Sequence, residues 1–375
     1  MMNQFPMTPF GLPSDNGGKD LGLFLPVANG GWILSRNKPE LDGSYAYNRQ
    51  CAVLAEAAGL DFIMSMSKFR GYGGETKHWD SSLDPIVLMA ALSEVTHKTR
   101  IVTTLHTLLQ NPAVAAKMMA TLQQVSGGRA GLNVVTGSYK GEFAQMGAWP
   151  EDVNHDQRYD LAYEWVRAVK ALWSEDSVTL KGDYFTLDDC ESWPKPEQRP
   201  FLVCAGSSEI GMRLTSEEMD AIFLSGGTGA ELAKNSDRAK AIAAEYGRNI
   251  RTYSMMTLVI DESDAAAKSR AELYAAGLDE GALAGMMRAY GFLDAEIGKE
   301  NDFTRKARSS FMSAQIVGSA KSVTEQLGEL LEVSGTDGLM LIFDDYIKSL
   351  PVFGAEILPV LRERFPGRVA VPVAN

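Results

Sequence analysis

The segment RIVTTLHTLLQNPAVAAKMMATLQQVSGGRAGLNVVTG, Arg100 to Gly137, decides how the whole chain is read. It opens on a short β-branched run, RIVTTLH, passes through NPAVAAKMMATLQQVSGG, where apolar residues recur at helical spacing, and closes on a second run, AGLNVVTG. Pro112 stands just inside the helix start behind Asn111, and Gly127 stands at its end, the order expected because a first-turn N–H needs no intrahelical partner and a helix end favours glycine. Strand, helix, strand with apolar runs of this kind is a parallel unit, since parallel strands are covered on both faces. Asn133 interrupts the second run. A polar side chain there must find a partner in a dry place, so it is read as holding something.

The alternation continues along the chain. LGLFLP from Leu21, DFIMSMS from Asp61, FLVCAG from Phe201, AIFLSGG from Ala221, YSMMTLVID from Tyr253 and GLMLIFDD from Gly338 bring the candidate strands to eight. Helix-period segments such as AYNRQCAVLAEAAG, DPIVLMAALSEVT and RYDLAYEWVRAVKALW lie between them. Eight β-α units predict an α/β fold, a (β/α)8 TIM barrel with insertions; a doubly wound sheet usually has fewer strands, and VANGGW after the first run is not its GxGxxG turn. SVTLKGDYFTL, from Ser177, predicts a surface hairpin. The stretch from about Leu278 to Ser319 is expected to carry charged helical segments and no strand, and either to serve as an active-site cover or to be disordered without ligand. Residues 1–20, rich in Pro, Gly and Asn, read as a flexible arm, which leaves 21–375 as a single barrel domain.

Composition narrows the function. The formal net charge is −12 and no Lys/Arg cluster is present, so a general affinity for nucleic acid or for an anionic membrane surface is not expected. No run reaches the roughly 18 apolar residues of a membrane span. Cys51, Cys190 and Cys204 are widely separated with no CxxC pair, which points to a reducing, cytoplasmic setting. The four histidines, His78, His97, His106 and His155, form no HxH or HExxH pair, so no metal site is expected. There is also no GxSxG elbow and no Walker loop. Hydrogen-bonding residues with few ionisable groups and apolar walls suit a site where a bound organic cofactor does the difficult chemistry.

In such a barrel the site lies at the C-terminal ends of the strands. Gly206, Ser207 and Ser208 close one strand where a helix begins; they either offer N–H groups and hydroxyls to a phosphate or simply cap that helix. Arg158 and Tyr159 open the helix after the fourth strand, as a planar fork and a hydroxyl for phosphate or as surface groups. Lys68 is read as solvated or as a site residue, and His106 as structural or facing substrate. Asp344 and Asp345 are consecutive and point apart, so they are not expected to act as a dyad.

Taken together, GLFLPVANGGWILS, LDFIMSMSKFRGYGGETKHWD, SGGRAGLNVVTGSYKGEFAQMGAWP, RYD, KGDYFTLDDC, VCAGSSEIGM and IFDDYIKSLPVFGAEILPVLRERF resemble the luciferase-like flavin-dependent monooxygenases, most of all their pyrimidine (uracil) monooxygenase group. The resemblance implies a two-component enzyme that takes FMNH2 from a separate NAD(P)H:flavin reductase and uses O2 to oxygenate a small N-heterocycle. It implies a flavin-oxygen adduct at C4a or N5, with N5 and ring opening expected in the pyrimidine group, and a homodimer or homotetramer. Residue by residue, it implies that Ser67 and Lys68 run beside the flavin ring, that Asn133 and Glu142 belong to the flavin site, and that Arg158 and Tyr159 with Ser208, next to Ser207, hold the phosphate end. Thr104 and Asn133 then line the region where flavin, oxygen and substrate meet, as the catalytic positions.

Some positions depart from the group's pattern. Leu105 and His106 stand where small residues follow the pocket Thr, and Ser138 stands where a Trp follows the VTG turn, which makes these three the expected substrate-pocket residues. NHDQRY, with His155, is more similar to the dimethylsulfone and alkanesulfonate monooxygenases, so an organosulfur substrate is the alternative. A direct NAD(P)H- or deazaflavin-dependent reductase, or a flavin-binding protein, are the rivals of other classes.

Overall fold

The computed structural model describes residues 18–206, 208–225, 227–290 and 309–366. Its main sheet is parallel throughout. Strands β1 (Asp20–Phe24), β2 (Phe62–Met64), β3 (Arg100–His106), β4 (Ala130–Val135), β7 (Phe201–Ala205), β8 (Ala221–Leu224), β9 (Arg251–Asp261) and β11 (Gly338–Phe343) follow one another around the sheet, and β8 pairs back onto β9 to close it. These are the eight apolar runs of the sequence, closed into a (β/α)8 barrel. Between Val178–Lys181 (β5) and Thr186–Cys190 (β6) lies the expected antiparallel hairpin.

One expectation is corrected. The excursion after Leu278 does contain a strand, β10 (Ala314–Ser319), paired in parallel with Met256–Asp261. Its cause lies in β9, which is 11 residues long and outruns β8, whose pairing ends at Ser254; the edge left open beyond that point is taken by AQIVGS. The same excursion holds a helix, α9 (Glu280–Ala289), whereas residues 291–308 of the expected cover and residues 1–17 of the expected arm lie outside the described residues.

The helices start where the sequence says they should. In α2 (Pro85–Ser93) and α3 (Pro112–Val125), Asp84 and Asn111 cap the first turn through their side chains and proline occupies the first position. Helix α5 (His155–Ser174) lays Trp165 and Trp173 into the layer between helices and sheet, where both indole N–H groups donate to α3-side carbonyls, of Gln110 at 2.7 Å and Ala116 at 3.0 Å. Among the described residues no helix is long and apolar enough to cross a membrane.

The barrel interior is filled from below. Phe62, Met64, Val102, Val203, Phe223 and Tyr253 line a small cavity, with Arg100 beside them. Beneath, the Asp20 carboxylate receives Arg100 Nη2 at 2.8 Å, Arg251 Nη1 at 2.9 Å and the Tyr253 hydroxyl at 2.6 Å. Burial alone would push the Asp20 carboxyl up, but the two guanidiniums hold it below the usual range. This closed, charged floor leaves the opposite end of the barrel as the place for a ligand.

Candidate active site

The two-residue period of β3 sets the geometry of the mouth. Arg100 and Val102 face the interior, so Thr104 and His106 follow on the same face. Leu105 points the other way and shares an apolar cluster with Ala115, Ala116 and Met119 between sheet and helices. The reading of Leu105 as a pocket residue is therefore corrected: its neighbours on both sides face the mouth, and alternation turns it outward.

Thr104 and Asn133 are cross-strand partners on β3 and β4. Thr104 Oγ1 donates to the Ser65 carbonyl at 2.6 Å, and Asn133 Nδ2 donates to Thr104 Oγ1 at 3.0 Å. The Thr104 proton is committed to a carbonyl, which only accepts, so its oxygen can receive only a donor and the Asn133 amide must present its nitrogen. Asn133 Oδ1 is then buried with no partner, and so are Ser65 Oγ and both ring nitrogens of His106. Buried polar atoms of this kind cost about 1–3 kcal/mol each when left unmatched, so this cluster suits a polar ligand.

The His106 ring lies 4.9 Å from the buried Phe143 ring and 6.2 Å from that of Phe69, which is exposed. Burial pushes its imidazole down to about 4, with the Lys68 charge adding to the drop. At neutral pH the ring is uncharged, one nitrogen a donor and the other an acceptor.

The structure answers the question about Lys68, which is buried. Its Nζ lies 3.0 Å from Glu142 Oε2, with side chains 7% and 4% exposed, while Glu142 Oε1 takes the Phe69 N–H at 2.6 Å. Glu142 comes from the short helix α4 (Lys140–Ala144) that follows β4, and Lys68 from the loop after β2, so the pair ties two strand ends together. Burial lowers the Lys68 amine from its ordinary range and Glu142 partly restores it. Tyr72 and Tyr139 present their ring faces to Nζ at 4.7 Å and 4.9 Å. Sequence reading missed both tyrosines. Ser67 is half-buried next to Lys68, and Ser138 is exposed on the loop after β4.

A second group forms where α5 meets α6 (Glu209–Glu218). Ser208 is the N-cap of α6 and accepts the Gly211 N–H at 3.2 Å. Tyr159 reaches the same spot from the first turns of α5: a Cβ on Gly211 would lie 2.8 Å from the Tyr159 hydroxyl and 3.0 Å from Ser208 Oγ. Two hydroxyls thus converge on a helix N-terminus over a glycine, an arrangement that fits a phosphate. Arg158 lies over the Trp149 ring at 4.8 Å. Ser207 lies outside the described residues. His155 is exposed, with Nδ1 2.8 Å from Asp156 Oδ1 and its ring 5.3 Å from that of Tyr159. Among the described residues no three His, Cys, Asp or Glu side chains gather as a metal site.

A barrel mouth with unmatched polar atoms and a phosphate-like cradle is the setting in which the family comparison is decisive, and the family model for the luciferase-like monooxygenases matches residues 20–338. The chain belongs to that family. As a luciferase-like monooxygenase it is an enzyme, of a family that works with reduced flavin and O2. It is 37% identical over 352 residues to the pyrimidine monooxygenase RutA of a Methylorubrum extorquens strain, covering 92% of this chain and 93% of that one. It is 37% identical over 361 residues to the pyrimidine monooxygenase RutA of Cronobacter turicensis, with 94% and 95% covered. Among solved structures, the fold is shared with a riboflavin lyase holding modified FMN and riboflavin (TM-score 0.81, 24% identity, 94% and 93% covered) and with a long-chain alkane monooxygenase (TM-score 0.80, 20% identity, 94% and 93% covered).

Proposed function

We propose that this luciferase-like monooxygenase is the oxygenase of a two-component system, taking reduced FMN from a separate flavin reductase and oxygenating a small pyrimidine-type heterocycle. The observation that carries the reading is the chain from Ser65 through Thr104 to Asn133, which leaves an oriented, buried acceptor beside His106 at the barrel mouth. The likeness to RutA proteins over nearly the whole chain supports the substrate class. No feature of His155 gives comparable support to an organosulfur substrate.

In this reading Ser67, Lys68, Asn133 and Glu142 hold the isoalloxazine ring, and Arg158, Tyr159, Ser207 and Ser208 hold the phosphate. Bound reduced FMN supplies the electrons that activate O2. The chain's own residues do the rest. The Lys68 ammonium, kept in place by Glu142, sets a fixed positive charge beside an electron-rich ring. Asn133 Oδ1, unable to flip, accepts from an N–H of bound flavin or substrate. Neutral His106 donates from one nitrogen and accepts at the other, which suits a ring edge of N–H and C=O groups; Ser138 lies on the adjacent loop. The buried Phe143 ring supplies an apolar wall beside that edge. A homo-oligomeric assembly and a cytoplasmic setting belong to the same proposal.

Anaerobic titration of the purified protein with FMNH2, then turnover of uracil, other N-heterocycles, sulfones and sulfonates with added reductase and NADH, tests the reading. Saturable FMNH2 binding and consumption of a pyrimidine are expected. Consumption only of a sulfur compound overturns the substrate class, and NAD(P)H oxidation without a reductase overturns the two-component assignment.

A further inference from the structure

The environment of Lys68 extends well past Glu142. The Tyr72 ring that faces Nζ lies 5.3 Å from Trp79, and its hydroxyl is 2.9 Å from the hydroxyl of Tyr290, which ends helix α9. The Tyr72 carbonyl rests against Gly285 of α9 so closely that any side chain there would collide with it. Two positions further along the same loop, Gly74 also packs closely on the start of α9, where Asp279 caps the helix and takes both the N–H and the hydroxyl of Thr76 at 2.7 Å. The loop after β2 and helix α9 are therefore interlocked, and Tyr72 is the side chain that links this interlock to the buried ammonium.

We propose that Tyr72 and Tyr290 are positioning residues for Lys68: their hydroxyl pair holds the Tyr72 ring against Nζ and so ties the charge beside the flavin to helix α9. An aromatic face attracts a cation strongly only when the cation is desolvated and the ring is held, and both conditions are met here. Removing the hydroxyl contact leaves the ring held only by packing against His78, Trp79 and Tyr139, which loosens its hold on Nζ and lets water approach the ammonium. The link to the flavin rests on the proposed function; the link between Tyr290 and Lys68 does not.

Trace acetylation of the flavin-free protein, read by mass spectrometry at Lys68 with the other lysines as internal controls, tests the second link alone. Tyr72→Phe and Tyr290→Phe each remove the hydroxyl–hydroxyl contact and keep both rings. Each is expected to raise Lys68 labelling about fivefold, the worth of one hydrogen bond, with the double variant no higher than either single. Tyr72→Leu, which also removes the ring face, is expected to exceed them. Anaerobic titration with FMNH2 should show affinity lost by a similar factor in the two Phe variants, and the lost hydrogen bond should lower the melting temperature by no more than a few degrees. Unchanged Lys68 labelling in Tyr290→Phe, or additive effects of the two Phe substitutions, overturns the proposal. Raised labelling with wild-type FMNH2 affinity overturns the tie to the flavin. A wild-type protein that binds no FMNH2 overturns the functional reading and that tie with it, while the labelling still decides whether Tyr290 holds Lys68.

Discussion

Asn133 donates its side-chain amide to Thr104 Oγ1 across two neighbouring strands at 3.0 Å, and by doing so turns its own Oδ1 into a buried, unpartnered acceptor at the mouth of the barrel. The direction of that bond is dictated by Thr104, whose proton is already given to Ser65. Asn133→Ala should lower oxygenation about a hundredfold while changing FMNH2 affinity less, because an oriented group matters most where charge develops. Thr104→Val, which keeps the shape and frees the amide to flip, should fall between wild type and Asn133→Ala. Arg158→Ala should do the reverse, weakening FMNH2 about tenfold through loss of a charged hydrogen-bonding group with turnover at saturating flavin retained. Steady-state rates set beside anaerobic titrations separate these outcomes.

Gly211 allows the Tyr159 and Ser208 hydroxyls to converge. Gly211→Ala should place a methyl group between them and erase most of the preference for reduced FMN over reduced riboflavin, which lacks the phosphate. The same overpacking should cost about 1–3 kcal/mol of stability. The ratio of the two flavin affinities is the readout, since loss of stability alone would weaken both equally.

The floor of the barrel makes a separate prediction. Asp20 is held by Arg100, Arg251 and Tyr253 in a buried cluster, and removing Arg251 takes away one of its two charged donors while Arg100 still pairs it. Arg251→Met should lower unfolding free energy by about 1.5–3 kcal/mol in urea, the worth of a hydrogen bond to a charged group. FMNH2 affinity of the folded fraction should be unaffected, because the cluster lies at the opposite end from the mouth.

Two buried histidines should make the protein sensitive to acid. His106 and His78 are buried and neutral, their imidazoles pushed down to about 4 and about 3 by desolvation. Between the unfolded histidine value of about 6.5 and these folded values, only the unfolded chain takes up the protons, so stability is fully present above that window and falls as pH falls through it. Melting temperature measured from neutral pH to about 4 should decline, and His78→Gln with His106→Gln should flatten the slope.

Much of this was legible in the sequence, and the exceptions have physical causes. The eight barrel strands showed themselves as apolar runs because a parallel sheet is buried on both faces, and Asn133 stood out for the same reason. Asn111 with Pro112 and Asp84 with Pro85 marked helix starts that the structure reproduces. β10 was hidden because AQIVGS carries only two large apolar residues and owes its pairing to the overlong β9, a feature of the partner strand. Leu105 was misplaced because sequence adjacency to Thr104 and His106 was given more weight than the two-residue period that turns it outward. Tyr72, Tyr139 and Tyr290 come from three separate segments and meet only around Lys68, so no local pattern announces them.

The most direct test of the central claim is oxygen transfer from 18O2 to uracil by the purified protein with FMN, NADH and a generic flavin reductase, followed by mass spectrometry. The account predicts a product carrying one labelled oxygen, formed only when the reductase is present and nearly lost in Asn133→Ala. Peroxide from the wild-type protein with no label in uracil or any related heterocycle would contradict it.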